Sequence, residues 1–114
     1  MTPTLSQRKV TMNDTHYYPD WHEQVVYAPI GPQPTVLRAD DKAKIILAGL
    51  DAGQCIPQHP EAASLYHFLE GTGCMTVDGQ PYEAKPGVTI LLAAGAVRGL
   101  EAQTRLAFLA VRLA

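Results

Sequence analysis

The sequence predicts an all-β fold, a sandwich or closed barrel of short antiparallel strands, and three observations carry that expectation. From Thr35 onward, apolar and β-branched residues come in short runs broken by turn formers. Between two such runs stands Asp78-Gly79, flanked by Met75-Thr76-Val77 and Tyr82-Glu83-Ala84. This is the strongest hairpin signal in the chain, because a tight primed turn needs positive φ. No stretch holds a helical period for more than a few turns. Residues 91–96 and 100–110 are rich in helix formers, but they are short, and glycines at 95 and 99 favour strands.

Taken in order, residues 1–33 contain Pro3, Pro19, Pro29 and Pro32 with little periodicity. They read as an irregular N-terminal arm, not an independent domain, with a brief strand over 24–28. Tyr17, Tyr18 and Trp21 surround Pro19-Asp20, too aromatic a group for a solvated tail. They are expected to dock on the barrel or on another subunit. The barrel itself is assigned to 34–114, with strands at 35–39, 43–50, 54–58, 64–70, 73–77, 80–84, 88–92, 96–100 and 104–112. Turns fall at Asp40-Asp41, Asp51-Ala52-Gly53, Gly71-Thr72-Gly73, Asp78-Gly79 and Pro86-Gly87. Closing such strands into a barrel removes the exposed edges that an open sheet must protect.

Composition narrows the partners. A hydrophobic fraction of 46% and a charged fraction of 18% are those of a globular domain. Nine basic against eleven acidic residues leave a formal charge of −2 with no Lys/Arg cluster, so neither nucleic acid nor an anionic membrane is expected as a partner. No apolar run approaches the roughly 20 residues that span a bilayer. The first residues lack the apolar core of a signal peptide, and a cytoplasmic location is expected. Cys55 and Cys74 are expected to stay as thiols there.

The order of turns is itself informative. Gly53-Gln-Cys-Ile-Pro-Gln-His59, followed by Tyr66-His-Phe-Leu-Glu-Gly71 and Gly73, resembles the first motif of the cupins. Val77-Asp-Gly-Gln-Pro-Tyr-Glu-Ala-Lys-Pro-Gly87, then Ile90-Leu-Leu-Ala-Ala-Gly95, resembles the second. The resemblance covers about residues 34–113 and implies a cupin-type double-stranded β-helix, or jelly-roll barrel, in a small single domain. Cupins that use a metal typically draw two histidines and a carboxylate from the first motif and one histidine from the second. The resemblance places those positions on His59, Glu61, Ser64 and Arg98, or, in a second register, on Pro57, His59, Ser64 and Arg98. Most metal-ligand positions are thus substituted. Arginine has no lone pair and a permanent positive charge, so no metal cofactor is expected. A divalent ion, if held at all, would rest on His59 and Glu61.

Each candidate residue has two readings. His59 is a pocket acid, base or ligand, or a hydrogen-bonded structural histidine near a strand end. Arg98 is an anion anchor, or is ion-paired with Glu61 or exposed beside Gly99. Strand alternation puts Tyr66 and Phe68 on the interior and His67 on the opposite face. Cys55 and Cys74 read as small apolar fillers. The expected function is binding of a small ligand, with anions among the candidates, by His59, Glu61, Tyr66, Phe68 and Arg98 in a metal-free barrel. The alternative is an enzyme, either an oxygenase with a weakened metal site or a metal-free isomerase or lyase using His59 as its catalytic base. A homodimer is expected, with the aromatic arm offering surface to bury.

Overall fold

The computed structural model describes residues 15–114. A short 3-10 turn at Trp21–Glu23 leads into eleven strands. The first three are β1 (Tyr27–Ala28), β2 (Gly31–Pro32) and β3 (Thr35–Ala39), followed by β4 (Ala43–Leu50), β5 (Cys55–Pro60) and β6 (Ser64–Glu70). Next come β7 (Gly73–Val77), β8 (Gln80–Ala84), β9 (Thr89–Leu92), β10 (Val97–Ala102) and β11 (Leu106–Leu113). A five-stranded sheet runs in the order β3-β4-β11-β6-β9 and a four-stranded one in the order β5-β10-β7-β8, every pair antiparallel. β1 and β2 form a small separate ribbon.

Period-two alternation decides which side chains meet between the sheets. On the larger sheet Phe108 lies opposite both Ala48 and Phe68, and the two phenylalanine centroids are 5.8 Å apart. On the smaller sheet Leu100 lies opposite Ile56 and Met75. Together with Leu50, Leu92 and Leu106 these residues form one core.

The hairpin between β7 and β8 turns through Asp78 at φ 49° and Gly79 at φ 82°, the two positive values that a type I′ turn demands. Its Asp78 also reaches sideways: Oδ1 accepts from the Val97 N–H at 2.9 Å, and the Asp78 N–H donates to Val97 O at 2.7 Å. At Gly71, φ is +86° and a Cβ would stand 1.8 Å from Arg105 O, so glycine is obligatory there.

Several boundaries differ from the sequence reading. β5 starts and ends later, and runs through Pro57 to Pro60. It lies at an edge and pairs with β10 alone, so missing N–H groups on its open side lose no ladder bond. β10 and β11 start and end later than expected, while β1 begins only at Tyr27. β2 and the 3-10 turn have no counterpart among the expected elements. Of the arm, Tyr18 donates its hydroxyl to Leu37 O at 2.7 Å, whereas Tyr17 is 81% exposed. Tyr27 lies over Gly49, where an added Cβ would meet its ring at 2.7 Å, and Arg105 covers the same ring at 4.4 Å from the centroid. The part of the arm before Thr15 lies outside the described residues. No helix among the described residues is long and apolar enough to cross a membrane.

Candidate functional site

One end of the barrel gathers most of the residues singled out from sequence. In the ladder between β5 and β10, Arg98 lies opposite His59; on the larger sheet, Arg112 lies opposite both Ser64 and Lys44. Two arginines from different sheets thus approach the same end, and they have different surroundings.

Arg98 is 1% exposed. Its Nε donates to Ala96 O at 2.8 Å, Nη1 to Ser64 Oγ at 3.1 Å, and Nη2 to Ala62 O at 3.3 Å and Glu61 O at 3.4 Å. Ser64 Oγ in turn donates to Ala62 O at 2.8 Å. A buried cation is tolerable when its donors are met, and here neutral oxygens take four of the five N–H groups without a carboxylate. Among the described residues no buried side-chain N or O lacks a partner.

Arg112 stands at the mouth of an apolar cavity of about 200 Å³ whose walls include Ile46, Ile56, Tyr66 and Phe108. His59 is across the mouth, and Pro32 of the arm and Pro34 at the start of the barrel close one side. Glu61 joins the two basic groups: Oε1 is 3.3 Å from Arg112 Nε and Oε2 is 3.8 Å from His59 Nε2. The Arg112 contact is an ion pair without hydrogen-bond geometry, and its guanidinium makes no hydrogen bond to any described residue. His59 Nδ1 lies 2.9 Å from Pro57 O. A carbonyl only accepts, so Nδ1 is the donor in that bond and Nε2 is the ring nitrogen left facing the Glu61 carboxylate.

Arg98, Arg112 and Lys44 therefore bring three basic side chains to an end where the Glu61 carboxylate contacts Arg112. Asp40, in the recess beside Lys44 and Arg112, is committed elsewhere. Its Oδ1 accepts from the backbone N–H groups of Lys42 and Ala43, which hold its carboxyl below the usual range, and Oδ2 lies 3.8 Å from Arg38.

The structure brings His59 and Tyr66 to the cavity wall, with Glu61 beside it against His59 and Arg112. It places Phe68, wholly buried, behind Phe108, and Arg98 beneath Ser64, neither of them on the wall. Glu61 meets Arg98 through its main-chain oxygen and sends its carboxylate to Arg112 instead. Arg112 was not singled out from sequence, although it shares strand parity with Phe108 and Ala110, which is the signal that points it inward. His67 turns to Thr89 Oγ1 at 2.7 Å. Cys55 and Cys74 are free and flank Glu101 in adjacent ladders on the outer face, where a shallow recess of about 320 Å³ runs between them. With β10 between them they stand roughly 9–10 Å apart, too far to bridge.

The positions that the cupin motifs mark for metal ligands have mixed chemistry in this chain. His59 and Glu61 are two donors, but Ser64 Oγ accepts from the buried guanidinium of Arg98, which brings a fixed positive charge to the space where further ligands would converge. Among the described residues no three His, Cys, Asp or Glu side chains group closely enough to hold a metal.

No protein-family model and no curated protein matches the chain. Solved structures do. A conserved protein of unknown function from Streptococcus pyogenes is 24% identical, with a TM-score of 0.78 over 88% of this chain and 89% of its own. A cupin superfamily protein from Desulfitobacterium hafniense is 20% identical, with a TM-score of 0.69 over 72% of this chain and 76% of its own. A predicted oxalate decarboxylase from Thermotoga maritima is 23% identical, with a TM-score of 0.68 over 72% and 79%. At these identities the likeness establishes the fold: the chain is a small cupin-type double-stranded β-helix.

Proposed function

We propose that this barrel binds a small organic anion without a metal, its apolar body in the cavity and its acidic group at the mouth between Arg112 and His59. The observation that carries the reading is the guanidinium of Arg112 at the opening of an apolar cavity, ion-paired with Glu61 but without a hydrogen bond to any described residue. A planar fork of N–H donors matches a carboxylate in two-point contact. The cavity, at about 200 Å³, is smaller than the roughly 300–1,000 Å³ of drug-sized sites, so a single ring or short chain fits it. NMR titration with benzoate tests this. Shifts confined to Tyr66, Phe108, His59 and Arg112, weakened at least about tenfold by Arg112→Gln, are expected; binding unaffected by that change overturns the reading.

A second reading, a metal-free isomerase or lyase, draws on His59. With Nδ1–H tied to Pro57 O, Nε2 is held at the mouth as a base, an orientation that general-base catalysis requires. Oxalate is a natural second probe, given the likeness to a predicted oxalate decarboxylase. Near-stoichiometric metal in purified protein, lost on His59→Ala, would overturn the metal-free reading in both forms. A homodimer and a reducing cytoplasmic setting belong to the same proposal. Exposed Leu91, Val36 and Leu113 support self-association, and a monomer mass by sedimentation at micromolar concentration counts against it.

A further inference from the structure

We infer that Glu61 is a built-in competitor at this site: its carboxylate occupies the anion position when no ligand is bound, and binding proceeds by exchange of one carboxylate for another on Arg112. The inference rests on the anion-binding reading above. It deepens that reading by assigning a gate.

The backbone of Glu61 is fixed while its side chain is lightly held. Its main-chain oxygen accepts from the Gly95 N–H at 2.8 Å and from Arg98 Nη2 at 3.4 Å, which anchors the residue to the buried arginine. Its carboxylate has three weak contacts: Arg112 Nε at 3.3 Å without hydrogen-bond geometry, His59 Nε2 at 3.8 Å, and the Ala62 N–H at 3.3 Å. The group is 27% exposed, so water can take it when it leaves. An acid displaced from Arg112 need only rotate about its own side-chain bonds, toward His59 or into solvent, with no change in the barrel.

The same geometry sets the ligand class. A neutral ligand gains nothing by displacing Glu61, since Arg112 would then be left without a counter-charge at the mouth of an apolar cavity. An incoming carboxylate restores the pairing and accepts from guanidinium N–H groups that Glu61 leaves unused, because Arg112 makes no side-chain hydrogen bond within the described residues. Glu61 therefore filters for anions while lowering their apparent affinity. A half-exposed ion pair of this kind is worth a factor of about five in affinity.

The test is a titration of benzoate against the wild-type chain, Glu61→Gln, Glu61→Ser and Glu101→Gln, with the melting temperature of each as a folding control. Glu101→Gln removes the same charge from the outer face of the smaller sheet. Exchange predicts about fivefold tighter binding in Glu61→Gln, or in Glu61→Ser should the glutamine variant melt early, and no change in Glu101→Gln. In the wild type, the Glu61 side-chain carboxyl resonance should move as benzoate saturates. If the wild type binds but both Glu61 variants bind no tighter, or Glu101→Gln tightens equally, exchange is overturned and the anion site stands. If neither the wild type nor any variant binds millimolar benzoate, the anion site fails with it.

Discussion

Arg98 and Arg112 lie at the same end of one barrel, yet the first is spent and the second is not. Arg98 makes four hydrogen bonds to neutral oxygens, those of Glu61 and Ala62 between β5 and β6, of Ser64 at the start of β6, and of Ala96. It works as an internal cross-link between the sheets. Arg112, on the last strand, pairs with one half-exposed carboxylate and keeps its donors for something else. One guanidinium is surrounded by carbonyls and the other borders an open cavity, and the residue type alone does not say which.

The largest expected effect is at the buried arginine. Arg98→Ala should destabilise the fold by about 3–4 kcal/mol in urea unfolding, because it leaves a cavity and removes the donors that Ser64 Oγ and the Ala96 carbonyl accept from. Arg98→Lys should recover only part of that loss, as an ammonium cannot span the same oxygens. A loss below about 1 kcal/mol would erase the distinction between the two arginines. Arg112→Gln should change stability by less than about 1 kcal/mol while removing anion binding, so that stability and binding separate cleanly between the two sites. A large fall in unfolding free energy there would make Arg112 a second structural residue.

The exposed end of the same scale is His22. Its Nδ1 lies 2.7 Å from Asp20 Oδ1, and Glu70 stands at 3.7 Å, which raises the imidazole above its ordinary value of 6.5 and lowers the Asp20 carboxyl. A raised value means that the folded form binds the proton more tightly, so the contribution is complete below 6.5 and disappears as pH rises through the folded value. The small difference in melting temperature between the wild type and His22→Gln should therefore be present near pH 6 and absent near about pH 9. The opposite trend would show that the Asp20 contact does not persist in solution.

What the sequence made legible was local. The strands over 35–39, 43–50, 64–70, 73–77 and 80–84 follow from alternation and turn residues a few positions apart, and the structure has them at those bounds. β2 contains only Gly31 and Pro32, and its pairing is visible only once the chain has folded over β4 and β5. His59, Glu61 and Tyr66 were singled out because they stand in or beside a motif, and the structure has His59 against Glu61 and Tyr66 on the same cavity wall as His59. Arg98 was expected on the cavity wall, but the oxygens that hold it, at 61, 62, 64 and 96, are close only in space. Gly99 shows the same limit. Nothing nearby in sequence marks it as crowded, yet a Cβ there would come within 2.8 Å of Gln58 Cγ across the ladder.

The place of β11 has a consequence for how this molecule assembles. It is the middle strand of the larger sheet, with Leu106 opposite Leu50, Leu113 opposite Ala43 and Phe108 opposite Phe68. Until its residues arrive, β4 and β6 have no neighbour between them and Phe68 lacks its ring partner. Assembly must then close long loops before those pairings offset their entropy, which is the topology of slow folders. While a ribosome is still holding that segment, the half-built sheet exposes two apolar strands, and this is the interval in which a chaperone would be needed and an aggregate could start.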